Sequence, residues 1–410
     1  MLVNFSVPSA RQDAGFADQM RYLIINFYSP LNLGDLAILE QTLWLVAQAD
    51  PQATFDVCVS DDVWLPDLPG VRWVRNWNFI VRGPGRARAL AALRQAHARA
   101  DLILSLGGGY FFVHDHRPVS TWATLALAYA LRWGKPVICL PQSFGPFRHA
   151  YQARLAARLM SHCARVMLRD PESLALYARH APPTCRAQYA PDVAFTLALR
   201  WPSQPNARPL PPAIGATVVD WSPVDPQLRS AQAGYERAMA DLLAYAVVAL
   251  GAEVRLFVQC QSQRRRFESD LAASQRVQVR ARQQLPPDLA ERIRIVDDLR
   301  RPAEAAAAYG QMSAFIATRL HSAIIAATQG TPVLAFGYQP KTLAAMRLLG
   351  QAEHSFDLRA LPAAGALRAR LDALWAARAR VGEQIARTAQ QLGQASADAL
   401  RGALAAYLSR

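Results

Sequence analysis

Residues 313–342 read SAFIATRLHSAIIAATQGTPVLAFGYQPKT, and the fold of the chain turns on them. The short apolar run Phe315-Ile316-Ala317 has the composition of a strand buried on both faces. Arg319 and His321 follow it at once, where the strand hands over to a helix predicted over 322–328. Gly330 and Pro332 punctuate the end of that helix, 333–336 reads as the next strand, and Tyr338 and Lys341 fall on the loop behind it. Parallel α/β sheets keep their chemistry on strand-to-helix loops. Two cations and an imidazole are therefore expected on one rim.

The same alternation runs upstream. Strands are predicted at 214–219, 253–258 and 293–296, with helices over 235–250 and 302–309. Before them, Pro202, Pro205, Pro209, Pro211 and Pro212 crowd into a stretch that no regular element can cross, which marks a linker over 201–212. The part ahead of the linker repeats the pattern, with strands at 22–27, 54–59, 71–74, 101–106, 136–140 and 165–168. At 410 residues the chain is too long for one ordinary core. The expected architecture is two Rossmann-like α/β domains, 1–200 and 213–360, facing a cleft, with a helical segment over 361–410 lying across both.

Composition narrows the partners. The chain is 52% hydrophobic and 19% charged, as globular proteins are, and its formal charge of +14 points to an anionic partner. No basic run is longer than Arg264-Arg265-Arg266, so a polybasic nucleic-acid arm is absent and nucleic acid is not expected. Arg82, Arg86, Arg88, Arg94 and Arg99 form a basic stretch behind Trp73, Trp77 and Phe79, which reads either as a solvated face or as a surface for an anionic lipid. The arginines of 361–410 leave the same choice open. Lys135 and Lys341 are the only lysines, and a lysine kept where arginine is the default cation points to a specific need at 341. Five dispersed cysteines without a CxxC pair read as buried thiols of a reducing compartment. With no apolar signal-peptide core near residue 1, a cytoplasmic protein is expected, with contact at the inner face of the membrane left open.

Several loops at the predicted strand ends carry chemistry-bearing residues. In NLGDLAIL, 32–39, Gly34 permits a tight turn and Asp35 can cap the following helix, and free NH groups there suit an anion or an acceptor hydroxyl. Gly107-Gly108-Gly109 directly after a strand allows close backbone approach to an oxygen-rich ligand, or is simply a tight turn. It is neither a dinucleotide fingerprint nor a P-loop. His114, Asp115 and His116 lack a further ligand placed by the sequence, so no metal is expected. Gln142, Ser143 and Gly145 lie on the loop PQSFGP, with Arg148 beyond it. Arg169 reads equally as a substrate cation or as half of an ion pair with Asp170 or Asp192.

With these stations in order, NLGDLAIL, LGGGYF, GKPVICLPQSFGP, LRDPES, YAPDVAF and TRLHSAIIAATQGTPVLAFGYQPK, the chain resembles the polysaccharide pyruvyl transferase family. The resemblance implies the glycosyltransferase-B kind of fold. It also implies transfer of a pyruvyl group from phosphoenolpyruvate to two hydroxyls of a sugar, giving a cyclic ketal and phosphate, with no cofactor. The family's RLH motif matches Arg319, Leu320 and His321, where the catalytic histidine and a substrate arginine are expected. The residue chemistry agrees with this. Arg319 and Lys341 supply cations for a carboxylate and a phosphate, His321 suits delivery of a proton to the enol methylene, and Asp35 suits the acceptor hydroxyl. Gly107, Gly108, Gly109, Ser143, Arg148, Arg169 and Tyr338 complete the expected substrate contacts. The acceptor is expected to be a sugar or a lipid-linked oligosaccharide. Two other functions fit the same chain: a nucleotide-sugar glycosyltransferase of this architecture, and a non-enzymatic polyanion- or membrane-binding protein.

Overall fold

The computed structural model describes residues 19–60, 62–76, 85–113, 121–203, 212–221, 228–261, 270–337 and 339–408. The first half carries β1 (Arg21–Phe27), β2 (Thr54–Val59), β3 (Val71–Arg75), β4 (Leu102–Ser105), β5 (Phe111–Val113), β6 (Val137–Gln142), β7 (Phe144–Phe147), β8 (Arg165–Leu168) and β9 (Gln188–Tyr189). Seven of these form one sheet in the order β3-β2-β1-β4-β6-β8-β9, while β5 and β7 pair separately as a small ribbon. Helices α1 (Leu33–Ala49), α2 (Arg86–Arg99), α3 (Thr121–Leu131), α4 (Ala150–Met160) and α5 (Pro171–His180) make the longer connections.

The second half repeats the plan with β10 (Ala213–Ala216), β11 (Glu253–Phe257), β12 (Ile293–Val296), β13 (Ala314–Ala317), β14 (Val333–Gly337) and β15 (Ser355–Asp357). They lie in the order β12-β11-β10-β13-β14-β15, and every neighbouring pair is parallel. Its helices are α6 (Arg229–Ala249), α7 (Leu271–Arg282), α8 (Pro302–Gly310), α9 (Leu320–Thr328) and α10 (Pro340–Leu348), followed by α11 (Ala364–Ala376) and α12 (Arg378–Leu408). The central strands are apolar end to end because helices cover both faces: the side chains of LILS in β4 and AFIA in β13 are all buried. Both sheets reverse their winding beside the first strand, between β1 and β4 and between β10 and β13. Ligands of doubly wound sheets bind outside the carboxyl ends of the strands at such switch points.

The halves are joined by more than a linker. Leu36 and Ile38 of α1, Ala306 of α8, Ile324 of α9 and Leu400 of α12 belong to one buried apolar cluster. Each such Leu or Ile contributes about 1.5–3 kcal/mol when fully buried. Helix α1 can sit at this junction because its sequence is apolar nearly all round, with even Gln41 and Thr42 wholly enclosed. Just ahead of it the chain is stitched to the end of β11: Leu33 N–H donates to Gln259 O at 3.1 Å and Gln261 N–H donates to Leu31 O at 2.8 Å. Arg301 reaches Glu40 at 3.0 Å, and Arg347 pairs with Glu172. Helix α12 returns from the second half to lie on the short 3-10 turn Val193–Thr196. There Gly393 lets the two approach, since a Cβ would stand 2.6 Å from Phe195 O.

Candidate active site

The two switch points bring the NLGD, GGGY, LRD, YAPD and RLH segments and the start of α10 together. Asn32, not Asp35, caps α1, its Oδ1 accepting from Gly34 N–H at 3.0 Å. Asp35 is thereby free of the capping role the sequence suggested and lies buried in the first turn. Gly34 has no room for a side chain: a Cβ would fall 2.3 Å from His321 Nδ1. The glycine is there so that the imidazole of the second half can lie against a helix start of the first.

The three glycines after β4 have protein, not open space, where a side chain would go. At Gly107 a Cβ would meet Pro141 O at 2.3 Å, and at Gly108, whose φ is 152°, it would meet the Tyr110 ring at 2.4 Å. At Gly109 it would meet Lys341 Nζ at 2.7 Å and Arg169 Nη2 at 3.5 Å. The loop thus seats the Tyr110 ring against Gly108 with its hydroxyl on the Asp35 side, and lets two cations close over the backbone.

Arg169 is buried, 4% exposed, at the end of β8. Its Nε–H donates to Ser143 Oγ at 2.9 Å and its Nη1–H to Asp192 Oδ2 at 2.5 Å. Of the two acids the sequence offered, Asp192 is the partner. Asp170 instead caps α5 through Ser173 N–H at 2.7 Å and accepts from Ser143 Oγ–H at 3.2 Å. Arg169 Nη2 is left without a hydrogen-bond partner. A buried guanidinium nitrogen without an acceptor is costly unless a ligand completes it.

Arg319 is more committed than the sequence suggested. It forms a bidentate pair with buried Asp270, Nε to Oδ2 at 2.7 Å and Nη2 to Oδ1 at 2.6 Å, and lies 5.6 Å from the centre of the Trp221 ring. Asp270 Oδ2 also accepts from Cys260 N–H at 3.0 Å, and Cys260 pairs with Asn32. Arg319 therefore braces the RLH segment against the strap that carries NLGD. His321 turns Nε2 toward Asp192, 3.5 Å away, and no hydrogen bond closes on that nitrogen.

Electrostatics follow from this crowding. Burial pushes the Asp35 carboxyl above its usual range, against the opposing pull of His321, the Tyr110 hydroxyl, Lys341 and Arg319. Desolvation, then the positive charge of Arg169, brings Lys341 down to about 7, with Asp35 and Asp192 acting the other way. Burial alone would raise Asp192, but Arg169, His321 and the Ala194 N–H hold it well below the ordinary carboxylate range. At Lys341 the halves flank an open pocket of about 160 Å³, lined also by Ser143, Phe144, Asp170, Ser173, Gln339 and Pro340 among others.

Of the residues expected from sequence, the fold collects Asp35, His321, Lys341, Arg169, Ser143 and the Gly107 to Gly109 loop around one point, with Arg319 bracing it. Arg148 is exposed at the end of the β5–β7 ribbon, where its N–H donates to Val113 O, and it shares no contact with this cluster. Tyr338 and the His114-Asp115-His116 loop lie outside the described residues. Sequence reasoning gave no site role to Tyr110, Asp192 or Asp270. The first two stand inside LGGGYF and YAPDVAF, so the signal was present, whereas Asp270 stands in an undistinguished polar stretch. Among the described residues no group of three or more His, Cys, Asp or Glu is placed to hold a metal ion, and no helix is long and apolar enough to cross a membrane.

Fold and site together define a two-Rossmann-domain group-transfer protein of the glycosyltransferase-B architecture, with a cationic, histidine-bearing cleft. Solved structures agree on the fold. WaaG, a glycosyltransferase involved in lipopolysaccharide biosynthesis, superposes with a TM-score of 0.53 at 13% identity, covering 93% of this chain and 98% of that one. The UDP-GlcNAc 2-epimerase of Methanocaldococcus jannaschii gives 0.54 at 8% identity, over 87% and 92%. The chain belongs to the polysaccharide pyruvyl transferase family, whose model matches residues 32–340. It is similar to the amylovoran biosynthesis protein AmsJ of Erwinia amylovora, 26% identical over 299 residues that cover 71% of this chain and 69% of that protein. It is accordingly a pyruvyl transferase enzyme of polysaccharide biosynthesis.

Proposed function

We propose that the chain transfers the pyruvyl group of phosphoenolpyruvate to two hydroxyls of one sugar, in a polysaccharide or its lipid-linked precursor, as a cyclic ketal. The observation that carries this is the point above Gly109, where a buried arginine with one unpartnered nitrogen and a desolvated lysine converge. Such a pair suits a small, densely charged anion carrying both carboxylate and phosphate. The donor cations are then Arg169 and Lys341, with Arg319 holding the frame.

The chemistry runs as an addition followed by a displacement. His321 protonates the methylene carbon, C2 becomes electrophilic, and the first sugar oxygen bonds to it. The second sugar oxygen then bonds to C2 as the C2–O bond to phosphate breaks. Of the two hydroxyl protons, one is balanced by the new methyl hydrogen and the other leaves with phosphate. Asp35, made more basic by burial and oriented by Tyr110, takes the proton of an attacking hydroxyl. The acceptor sugar enters by the cavity beside Lys341, and no metal or cofactor takes part. The net charge of +14 and the exposed Arg86, Arg88, Arg94 and Arg99 of α2 support an acceptor held on an anionic carrier at the inner membrane face.

Incubating the purified protein with phosphoenolpyruvate and candidate glycans tests this. Phosphate release with a matching mass gain on the glycan is expected, and Arg169→Met abolishes both. Sugar transfer from a nucleotide donor, with no product from phosphoenolpyruvate and any acceptor, overturns it.

A further inference from the structure

Asp192 is wholly enclosed yet has a crowded set of partners. Its Oδ1 accepts from Ala194 N–H at 2.9 Å, which fixes the carboxylate plane at the start of the 3-10 turn. Its Oδ2 takes Arg169 Nη1 at 2.5 Å and faces His321 Nε2 at 3.5 Å. One oxygen thus serves two groups with different proposed tasks. The second of these contacts is open by several tenths of an ångström, as catalytic hydrogen bonds commonly are without substrate.

We propose that Asp192 is a positioning residue for the transfer: its Oδ2 orients His321 by accepting from Nε2–H and stabilises the imidazolium, while holding Arg169 for the donor anion. This rests on the assignment of His321 as the acid. With Nε2 turned to Asp192, the edge carrying the transferable proton is Nδ1, which lies along Gly34 beside Asp35. Donor binding and acid strength then share one atom. An anion taking Arg169 Nη2 draws charge from the Arg169–Asp192 pair, and Oδ2 is freed to close on the histidine. The other charged groups around the imidazole are Asp35 of α1, Lys341 of α10, Arg169 itself and Arg319 on the residue pair preceding it; Tyr110 titrates far above this range.

Two measurements on the full chain test the idea. In the wild type, histidine ¹⁵N shifts, with the His321 signal identified by its loss in His321→Gln, are expected to show the neutral ring carrying its proton on Nε2. An Nδ1–H tautomer overturns the proposal, and this readout needs neither turnover nor a folded Asp192 variant. In Asp192→Asn, which keeps an oxygen for Ala194 N–H, the His321 titration is expected to move to lower pH, because a stabilising negative charge is gone. The alkaline limb of kcat moves with it, and kcat falls ~10- to 100-fold with a smaller change in donor KM. A lowered kcat with an unmoved His321 titration overturns the proposal in favour of a merely structural carboxylate. Inactivity of the wild type with phosphoenolpyruvate, beside the expected tautomer, instead counts against the pyruvyl donor alone.

Discussion

A methyl group on Gly34 has nowhere to go except into the ring of His321, since its carbon would stand 2.3 Å from Nδ1. Gly34→Ala should therefore push the imidazole out of line while leaving both sheets intact. A displacement of about 1 Å costs roughly 100-fold in rate. The expected outcome is that fall in kcat with a melting temperature lowered by only a few degrees; activity within twofold of wild type would show that the ring is not held there. Lys341 makes a second prediction. Its ammonium titrates near 7, so its charge is present below that pH and lost above it. Donor KM should rise as pH climbs from 7 to 8.5, and Lys341→Met should show a KM raised ~10- to 100-fold and no longer dependent on pH over that window. At this scale the sequence showed His321, Arg319 and Lys341 because strand and helix punctuation marks where they stand. It did not show that Arg319 would be taken up by Asp270, 49 residues earlier, nor which acid Arg169 would choose. Those choices depend on which strand ends become neighbours, and local pattern does not carry that.

Among the elements, α12 and the 3-10 turn of Val193–Thr196 are the closest packed across the two halves. Gly393→Leu would drive a side chain against Phe195 O and force them apart. Overpacking of this kind costs about 1–3 kcal/mol. Because the turn begins at Asp192, the same substitution is expected to lower activity as well as thermal stability, measured by a melt and a rate on the same preparation. A stability loss with full activity would show that the turn tolerates the displacement. The longer central strands were legible, since parallel-sheet strands are continuous apolar runs bounded by turn residues, whereas the short edge strands β9 and β15 were not. The β5–β7 ribbon was not, because three or four residues carry no period. Strand β10 ends at Ala216, short of the predicted 219, as the chain turns toward the helix while still buried.

For the molecule as a whole, the cluster shared by α1, α8, α9 and α12 means that neither sheet keeps its full core alone. Calorimetry is expected to show one cooperative transition, with calorimetric and van't Hoff enthalpies in agreement; two resolved transitions would contradict this. The sequence announced two alternations separated by prolines, and both sheets are there. It did not announce the shared core, though the all-round apolarity of α1 was a usable sign that this helix would be enclosed from every side.

The return of α12 also sets an order of events during synthesis. Residues 378–408 leave the ribosome after every strand of both sheets, and they complete the packing behind the turn that begins at Asp192. The strands of both sheets are made before α12, and the shared core with the seat of Asp192 stays unfinished until that helix arrives. A polypeptide halted near residue 377, just ahead of α12, would therefore carry the RLH, NLGD and GGGY segments and still be inert. Supplying the missing helix as a separate peptide is a direct route to restoring it.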